Sequence, residues 1–313
     1  MKVFNDFEAI SNVKNPVLTI GTFDGVHLGH QKIIDQLNRE AEKIGGESVL
    51  FTFYPHPRMV IYPETHGLKL LQTQEEKLDK LERMGLKNVI LFPFTFEFSR
   101  LTALEFVRDY LVNKLHVRKM VIGYDHQFGK NREGSLEFLQ QICETYDFEV
   151  IEIPAHDIDD VNVSSTKIRE SILVGNVERA AEFLGEPYSL SGEVVKGKAL
   201  GRTIGFPTAN IKVKNTEKLV PSNGVYAVTV SFDNRSYLGM MNVGVRPTVS
   251  GENDLSLEVN ILDFDEDLYN KTLDVNFHAR LRDEQRFDGV EKLVEQLKKD
   301  EKTVRAFFAT CVL

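Results

Sequence analysis

A chain of 313 residues, 42% hydrophobic and 27% charged, has the make-up of an ordinary soluble globular protein and is long enough for two domains. Its formal net charge of −9 excludes a nucleic-acid-coating surface, which needs clustered excess positive charge, but not a small phosphate site served by a few local donors. The two cysteines, Cys143 and Cys311, lie far apart and outside any CxxC pair, which argues against a disulfide framework or structural zinc and for a reducing, cytoplasmic setting. The opening MKVFNDFEAI lacks the apolar centre of a signal peptide, and no apolar run approaches the length of a membrane span.

The first half alternates strand and helix patterns. PVLTIG reads as a strand, and Ile33, Ile34, Leu37, Ala41 and Ile44 then recur at helical spacing. SVLFTFY is a second strand, and EEKLDKLERMG a helix closed by Gly85. NVILFPF, KMVIGYD and FEVIEIP are further strands, separated by helices over ALEFVRDYLVNKL and SLEFLQQICETY. Continuous apolar strands alternating with helices predict a parallel sheet covered on both faces. Two short helices follow, STKIRESILVG and VERAAEFLG, and Gly185-Glu186-Pro187 marks a boundary between residues 1–185 and 186–313.

Beyond that boundary the period changes to two. GVYAVTVSF, LSLEVNIL and LDVNFHARLR each alternate, the second setting Leu255, Leu257, Val259 and Ile261 against Ser256, Glu258 and Asn260. Such strands separated by turns predict a small antiparallel barrel. Val290, Leu293, Val294 and Leu297 then fall on one face of a closing helix.

Two stretches carry chemistry. GTFDGVHLGH, Gly21 to His30, sits where a strand of the sheet gives way to a helix, the place where open parallel sheets bind ligands. The backbone N–H groups at the helix start favour phosphate, and His27 and His30 at i, i+3 add two donors. A zinc pair lacks a third ligand of suitable spacing, and capping glycines with two incidental histidines are the plainer alternative. VSSTKIRES offers a second such start: Ser164, Ser165 or Thr166 can cap a helix whose first turn carries Lys167 and Arg169. In the second half, GKALGRTIGFPTAN has the glycine and proline content of a loop. Its Gly197 to Gly205 stretch can wrap phosphates with backbone N–H groups, and Thr208 and Asn210 present short oxygen-bearing side chains suited to Mg²⁺.

The Gly21–His30 string, with His27-Leu28-Gly29-His30 as its HxGH element, resembles the nucleotidyltransferase signature. Together with GYDHQFGKNREG (Gly123 to Gly134) and SSTKIR it is similar to the FAD synthetase module of bacterial bifunctional riboflavin kinase/FAD synthetases. The family usually has Phe where this chain has His126. The loop ending in PTAN resembles the riboflavin kinase loop, and PSNGVYAV, NVGVRPT, ILDFDEDLY and LRDEQRFDGVEKLVEQLKKD follow in family order. The resemblance covers nearly the whole chain.

It implies a Rossmann-like nucleotidyltransferase domain with a parallel sheet over 1–185 and a riboflavin kinase β-barrel with a C-terminal helix over 186–313. It implies that riboflavin is phosphorylated by ATP to FMN, and that FMN is adenylylated by ATP to FAD with release of pyrophosphate. Glu258 takes the catalytic-base position; the family often has His two residues on, where this chain has Asn260. His27, His30 and Arg169 serve the adenylyl transfer. Gly21, Phe23, Asp24, Gly29, Ser164, Ser165, Thr166 and Lys167 belong to the first nucleotide site; Gly197, Gly201, Arg202 and Gly205 belong to the second. His56, Asp125, Phe128, Arg132, Arg282 and Phe287 are the flavin-side candidates, and Thr208 and Asn210 hold Mg²⁺. The partners expected are riboflavin, FMN, FAD and ATP, with no nucleic acid or membrane and at most a weak homo-oligomer. An adenylyl acceptor other than FMN leaves the PTAN barrel unexplained. A flavin sensor without chemistry predicts losses among His27, His30 and Glu258, and all three are present.

Overall fold

Consecutive side chains of an extended chain point to opposite faces, so a strand apolar at every position needs cover on both sides. Val17–Ile20, apolar but for Thr19 and buried throughout, has such cover at the centre of a six-stranded sheet. The strands are β1 (Lys2–Phe4), β2 (Val17–Ile20), β3 (Ser48–Tyr54), β4 (Asn88–Pro93), β5 (Lys119–Gly123) and β6 (Glu149–Ile153), in the order β1-β4-β3-β2-β5-β6 with every pairing parallel. Leu18, Ile20, Val49, Phe51 and Ile90 face one layer, with Ala103, Phe106 and Leu111. Val17, Leu50, Val89 and Val121 face the other, with Ile34, Leu37, Ala41 and Leu81. The edge strand β1, Lys2-Val3-Phe4, escapes the periodicity reading, being only three residues long.

The computed structural model describes residues 1–6, 10, 12–64, 67–124, 126–154, 163–197, 200–247 and 253–310. It separates into two units, Met1–Ser165 and Thr166–Leu313. In the first, the helices are α1 (Leu28–Lys43), α2 (Pro57–Ile61), α3 (Gln74–Arg83), α4 (Ala103–Phe106) and α5 (Leu136–Ile142). The single helix expected over 103–115 is instead α4 running into a π turn, Val107–Val112. That wider turn places Val107 and Leu111 together in the core. The helix expected over 135–146 stops at Ile142; Ser135 caps its start, accepting from the Phe138 N–H.

The second unit opens with α6 (Ser165–Leu173, whose first residue closes the first unit) and α7 (Val177–Leu184), ended by Gly185 in the left-handed conformation (φ 75°). Then β7 (Tyr188–Val195), α8 (Leu200–Thr203), β8 (Ala209–Lys212), β9 (Gly224–Phe232), β10 (Arg235–Pro247), β11 (Asn253–Ile261) and β12 (Thr272–Arg282) follow. The six strands close an antiparallel barrel in the order β10-β11-β8-β7-β12-β9. Asp233 and Asn234, both with positive φ, make the tight turn from β9 to β10. Tyr226, Val228, Val230, Leu273, Val275 and Phe277 are fully buried. Helix α9 (Val290–Thr310) packs Val304 and Phe308 over Ala227, Met240, Leu262 and Ala279.

β11 departs from a simple alternation. Ser256 and Asn260, expected on a polar outer face, are buried, whereas Leu255 is half exposed. The polar face is taken up in hydrogen bonds with the residues around Pro207 and Thr208.

Candidate active sites in the sheet unit and the barrel

Strand order reverses between β2 and β5, and Gly21–His27 leaves the C-terminal end of β2 at that switch point. The loop is tightly wound: Phe23 (φ 50°), Gly25 (φ 89°) and Val26 (φ 38°) all lie in the left-handed region. A phenylalanine and a branched valine adopt it only when packing over-determines it, and both are buried in the α1 core. A Cβ at Gly21 would come within 2.9 Å of the Phe23 ring.

His27 caps α1, its Nδ1 accepting the His30 N–H at 3.4 Å. That bond leaves Nε2 of the neutral ring as the proton carrier. The His30 ring stacks on His27 at 3.6 Å between centroids and on Phe23 at 4.5 Å. Its Nδ1 is buried with no protein partner, a position a ligand oxygen can satisfy. Burial holds His27 down to about 4, with the Lys80 charge adding to it and a backbone hydrogen bond opposing. Burial, then His27, Lys80 and Lys77, hold His30 well below the ordinary histidine value. Both rings are therefore neutral at pH 7 and act as oriented hydrogen-bond donors, not as cations.

Unfolding returns His27 to its ordinary value of 6.5. Below that pH the unfolded chain takes up a proton that the folded ring refuses, so stability is lost as pH falls from 6.5 towards 4. The loss attributable to His27 is on the order of 3 kcal/mol. Urea unfolding of the parent chain and His27→Gln at pH 7 and pH 4.5 checks it: the gap between them should shrink at the lower pH, and a constant gap contradicts the shift.

Asp24 turns inward. Its Oδ1 accepts the N–H groups of Leu71 (3.0 Å) and Gln72 (3.4 Å), and its carbonyl accepts the Ser165 hydroxyl at 2.9 Å. It thus holds the loop in place through protein backbone. Ser165 was expected among the capping residues; its hydroxyl instead joins α6's first residue to the loop that follows β2. Gly29 is buried within α1. Ser164 is half-buried, Thr166 and Lys167 are exposed on α6, and Arg169 is half-buried there.

In the barrel, the loop before β8 is shaped by close approaches. A Cβ at Gly197 would overlap the Asn210 carboxamide, and one at Gly201 the Phe206 carbonyl oxygen. Gly205 has φ 82°, and Arg202 is exposed. Phe206 anchors the loop in the cluster under α9. β8 and β11 bring Asn210 directly opposite Glu258. The Thr208 hydroxyl donates to Glu258 Oε2 at 3.5 Å, and the Ser256 hydroxyl to Oε1 at 3.0 Å. A carboxylate, a hydroxyl and a carboxamide, all predicted from sequence, are gathered on one patch of barrel wall.

Two family models match consecutive stretches of the chain: FAD synthetase over residues 9–167 and riboflavin kinase over 184–308. The bifunctional riboflavin kinase/FMN adenylyltransferase of Listeria monocytogenes is 40% identical, over 94% of this chain and 93% of that one. The protein of the same description from Pseudomonas fluorescens is 39% identical, again over 94% and 93%. The chain belongs to the bifunctional riboflavin kinase/FMN adenylyltransferase family. A crystal structure of a Streptococcus pneumoniae protein described as a macrolide-efflux protein superposes with a TM-score of 0.89 at 36% identity, covering 97% of this chain and 98% of that one. Among the described residues here, no helix is long and apolar enough to cross a membrane.

The remaining expected residues divide. His56 caps α2 through Nδ1, accepting the Arg58 N–H at 3.2 Å. Phe128 is buried against Phe106 and Phe138, and a Cβ at Gly134 would strike its ring, so that glycine serves close packing. Arg132 is exposed, and Asp125 lies outside the described residues. Arg282 forms a buried bidentate pair with Asp300 of α9 (2.8 to 3.1 Å), while its guanidinium lies 5.8 Å from the centroid of the half-buried Phe287 ring.

Sequence reasoning gave Asn260 no role. In the structure it is 7% exposed and donates to the Pro207 carbonyl at 2.7 Å, fixing the residue before Thr208. Its signal was a polar side chain on the same strand face as Glu258. Sequence reasoning gave Lys77 and Lys80, buried on α3, no role either.

Proposed function

We propose that the barrel catalyses phosphorylation of riboflavin to FMN and the sheet unit adenylylation of FMN to FAD, with ATP as the donor in both. The observation that carries the first assignment is the placement of Glu258 between two hydroxyls and opposite Asn210. A carboxylate so held accepts the proton of the riboflavin 5′-hydroxyl as that oxygen attacks the γ-phosphorus and ADP leaves. Thr208 and Asn210 offer neutral oxygen donors beside this carboxylate, a set that fits Mg²⁺ shared with phosphate oxygens. Bound there, Mg²⁺ supplies charge neutralisation on the transferring phosphate. Asn260 keeps Thr208 in place through Pro207, and Gly197 and Gly201 allow the loop to lie close to Asn210 and Phe206.

In the sheet unit, an oxygen of the FMN phosphate attacks the α-phosphorus of ATP and pyrophosphate leaves. No enzyme-bound covalent intermediate is required. The His27 Nε2–H and the His30 ring donate to phosphate oxygens as charge builds on them, aided by the N-terminal end of α1. Lys167 and Arg169 hold the leaving pyrophosphate. His56, Asp125, Phe128 and Arg132 shape the flavin end of this site, Phe128 from within the core; Arg282 and Phe287 do so in the barrel. We place the functional boundary at Gly185, at the start of the riboflavin kinase match, and the enzyme in a reducing cytoplasm.

Metal dependence tests the barrel reading. Excess EDTA should stop FMN formation from riboflavin and ATP, and added Mg²⁺ should restore it, both read by chromatography. FMN formation that continues undiminished in EDTA contradicts a metal shared by Thr208 and Asn210.

A further inference from the structure

β10 and β11 run antiparallel with Asn242 directly opposite Glu258 and Gly244 directly opposite Ser256. Opposed residues of such a pair share one face, so these four positions belong to the wall on which Asn210 also meets Glu258. Gly244 is buried there. A Cβ at Gly244 would overlap the Glu284 carboxylate and stand 3.3 Å from Asn242 Nδ2. The absence of a side chain at Gly244 therefore admits a second carboxylate to this wall, brought by the segment that follows β12 and set close to the Asn242 amide.

The packing around that segment fixes its course. Arg282, the last residue of β12, is held by the bidentate pair with Asp300 of α9, which also accepts from Gln296 Nε2 at 2.8 Å. The Asp283 carbonyl accepts from Arg282 Nη1, and the Asp283 carboxylate pairs with Arg280 Nη2, both at 3.0 Å. Asp288 pairs with Lys292 at 3.2 Å. Of the acids in this segment, Glu284 has neither a hydrogen bond nor an ion pair among the described residues, and the same holds for the Asn242 side chain. An acceptor and an amide, both unengaged by protein, thus stand on the wall of the Glu258 site.

We propose that Asn242 and Glu284 bind the secondary hydroxyls of the ribityl chain and so make the barrel selective for a polyol-bearing flavin. The inference rests on reading Glu258 as the base of the kinase site. With the 5′-hydroxyl at Glu258, the remaining hydroxyls of the same chain lead away from it. Gly244 and Ser256 stand two residues along the strands from Asn242 and Glu258, a step of about 7 Å, within reach of a five-carbon chain. A carboxylate accepts from a hydroxyl, and a carboxamide can donate to one and accept from another. A flavin with a bare alkyl chain leaves both groups unpaired, which is how a polar site rejects an analogue that lacks hydroxyls.

The test uses the full chain with Glu284→Ala, Asn242→Ala and Gly244→Ala, and two acceptors. One is riboflavin; the other is a flavin whose ribityl group is replaced by a 5-hydroxypentyl chain, which keeps the terminal hydroxyl and lacks the secondary ones. The kcat/KM for phosphorylation by ATP is measured for each. The parent should prefer riboflavin at least about 100-fold. Each variant should lower kcat/KM for riboflavin at least about tenfold, chiefly through KM, while the value for the hydroxypentyl flavin moves less than about threefold. Turnover of that second acceptor also reports that the barrel is folded. Gly244→Ala displaces the Glu284 carboxylate, so adding Glu284→Ala to it should change little further. Glu284→Gln, which keeps an acceptor oxygen, should recover part of the preference. A parent that treats the two acceptors alike overturns the proposal, as do variants that keep the parent's preference or lose both acceptors equally. Equal loss accompanied by a raised Mg²⁺ requirement would make Glu284 a metal ligand instead. If Gly244→Ala fails to fold, the Glu284 and Asn242 variants decide the matter. A Glu258→Gln chain that phosphorylates both acceptors at the parent rate faults the underlying reading of the base.

Discussion

Glu258→Gln should yield a chain that still makes FAD from FMN but makes FMN from riboflavin about 10²- to 10⁴-fold more slowly, the range that loss of a positioned general base produces. Glutamine keeps the size of the side chain and can still accept from one of the two flanking hydroxyls. What it loses is the capacity to take a proton. Because Asn210 lies opposite and Thr208 and Ser256 flank the carboxylate, the change falls at the centre of the barrel site while the barrel's buried residues stay in place. Following both conversions in one preparation separates a chemical defect from a folding defect. FMN formation at the parent rate would remove Glu258 from the role of base.

A change in the other unit should give the reciprocal result. His30→Phe retains a ring that can stack on His27 and Phe23 but carries no ring N–H, so the loop keeps its packing and loses a donor. FAD formation from FMN should fall about 10²- to 10³-fold, as when a preorganised donor to a developing oxyanion is removed, and FMN should accumulate from riboflavin at the parent rate. His30→Ala adds a cavity beside Phe23 and should cost stability as well. If the phenylalanine variant adenylylates FMN normally, the stack and not the imidazole is what the site uses.

His30 stood out in the sequence for a physical reason, whereas Glu258 was singled out only by the family resemblance. A phosphate site at a strand-to-helix turn needs glycines, a helix start and donors within a few consecutive residues, and all of that is local. The sheet was equally plain: Val17–Ile20 and Ser48–Tyr54 are apolar runs whose ends match the strands formed. Asp24 was less transparent. Its type suggests ligand contact, yet its carboxylate closes a long-range bond to Leu71 and Gln72, some fifty residues away, that no local pattern records. Lys77 and Lys80 were hidden differently: in EEKLDKLE they look like solvated charges, and only tertiary packing puts them on the stripe of Leu81. Asn260 looked like a bland residue at a family position and proved to be the hydrogen-bond anchor of Pro207. The π turn after Phe106 is likewise a product of packing, since ALEFVRDYLVNKL has uninterrupted helical spacing.

Two working sites used in sequence within one chain would leave a distinct mark on the time course of the flavins. The purified chain is incubated with riboflavin, ATP and Mg²⁺, and riboflavin, FMN and FAD are separated and quantified at intervals. FMN should rise first and then fall as FAD accumulates, with pyrophosphate released in step with FAD. FMN that rises to completion with no FAD contradicts the role of His27 and His30 in adenylyl transfer, and riboflavin that stays unchanged while supplied FMN is adenylylated contradicts the role of the Glu258 site.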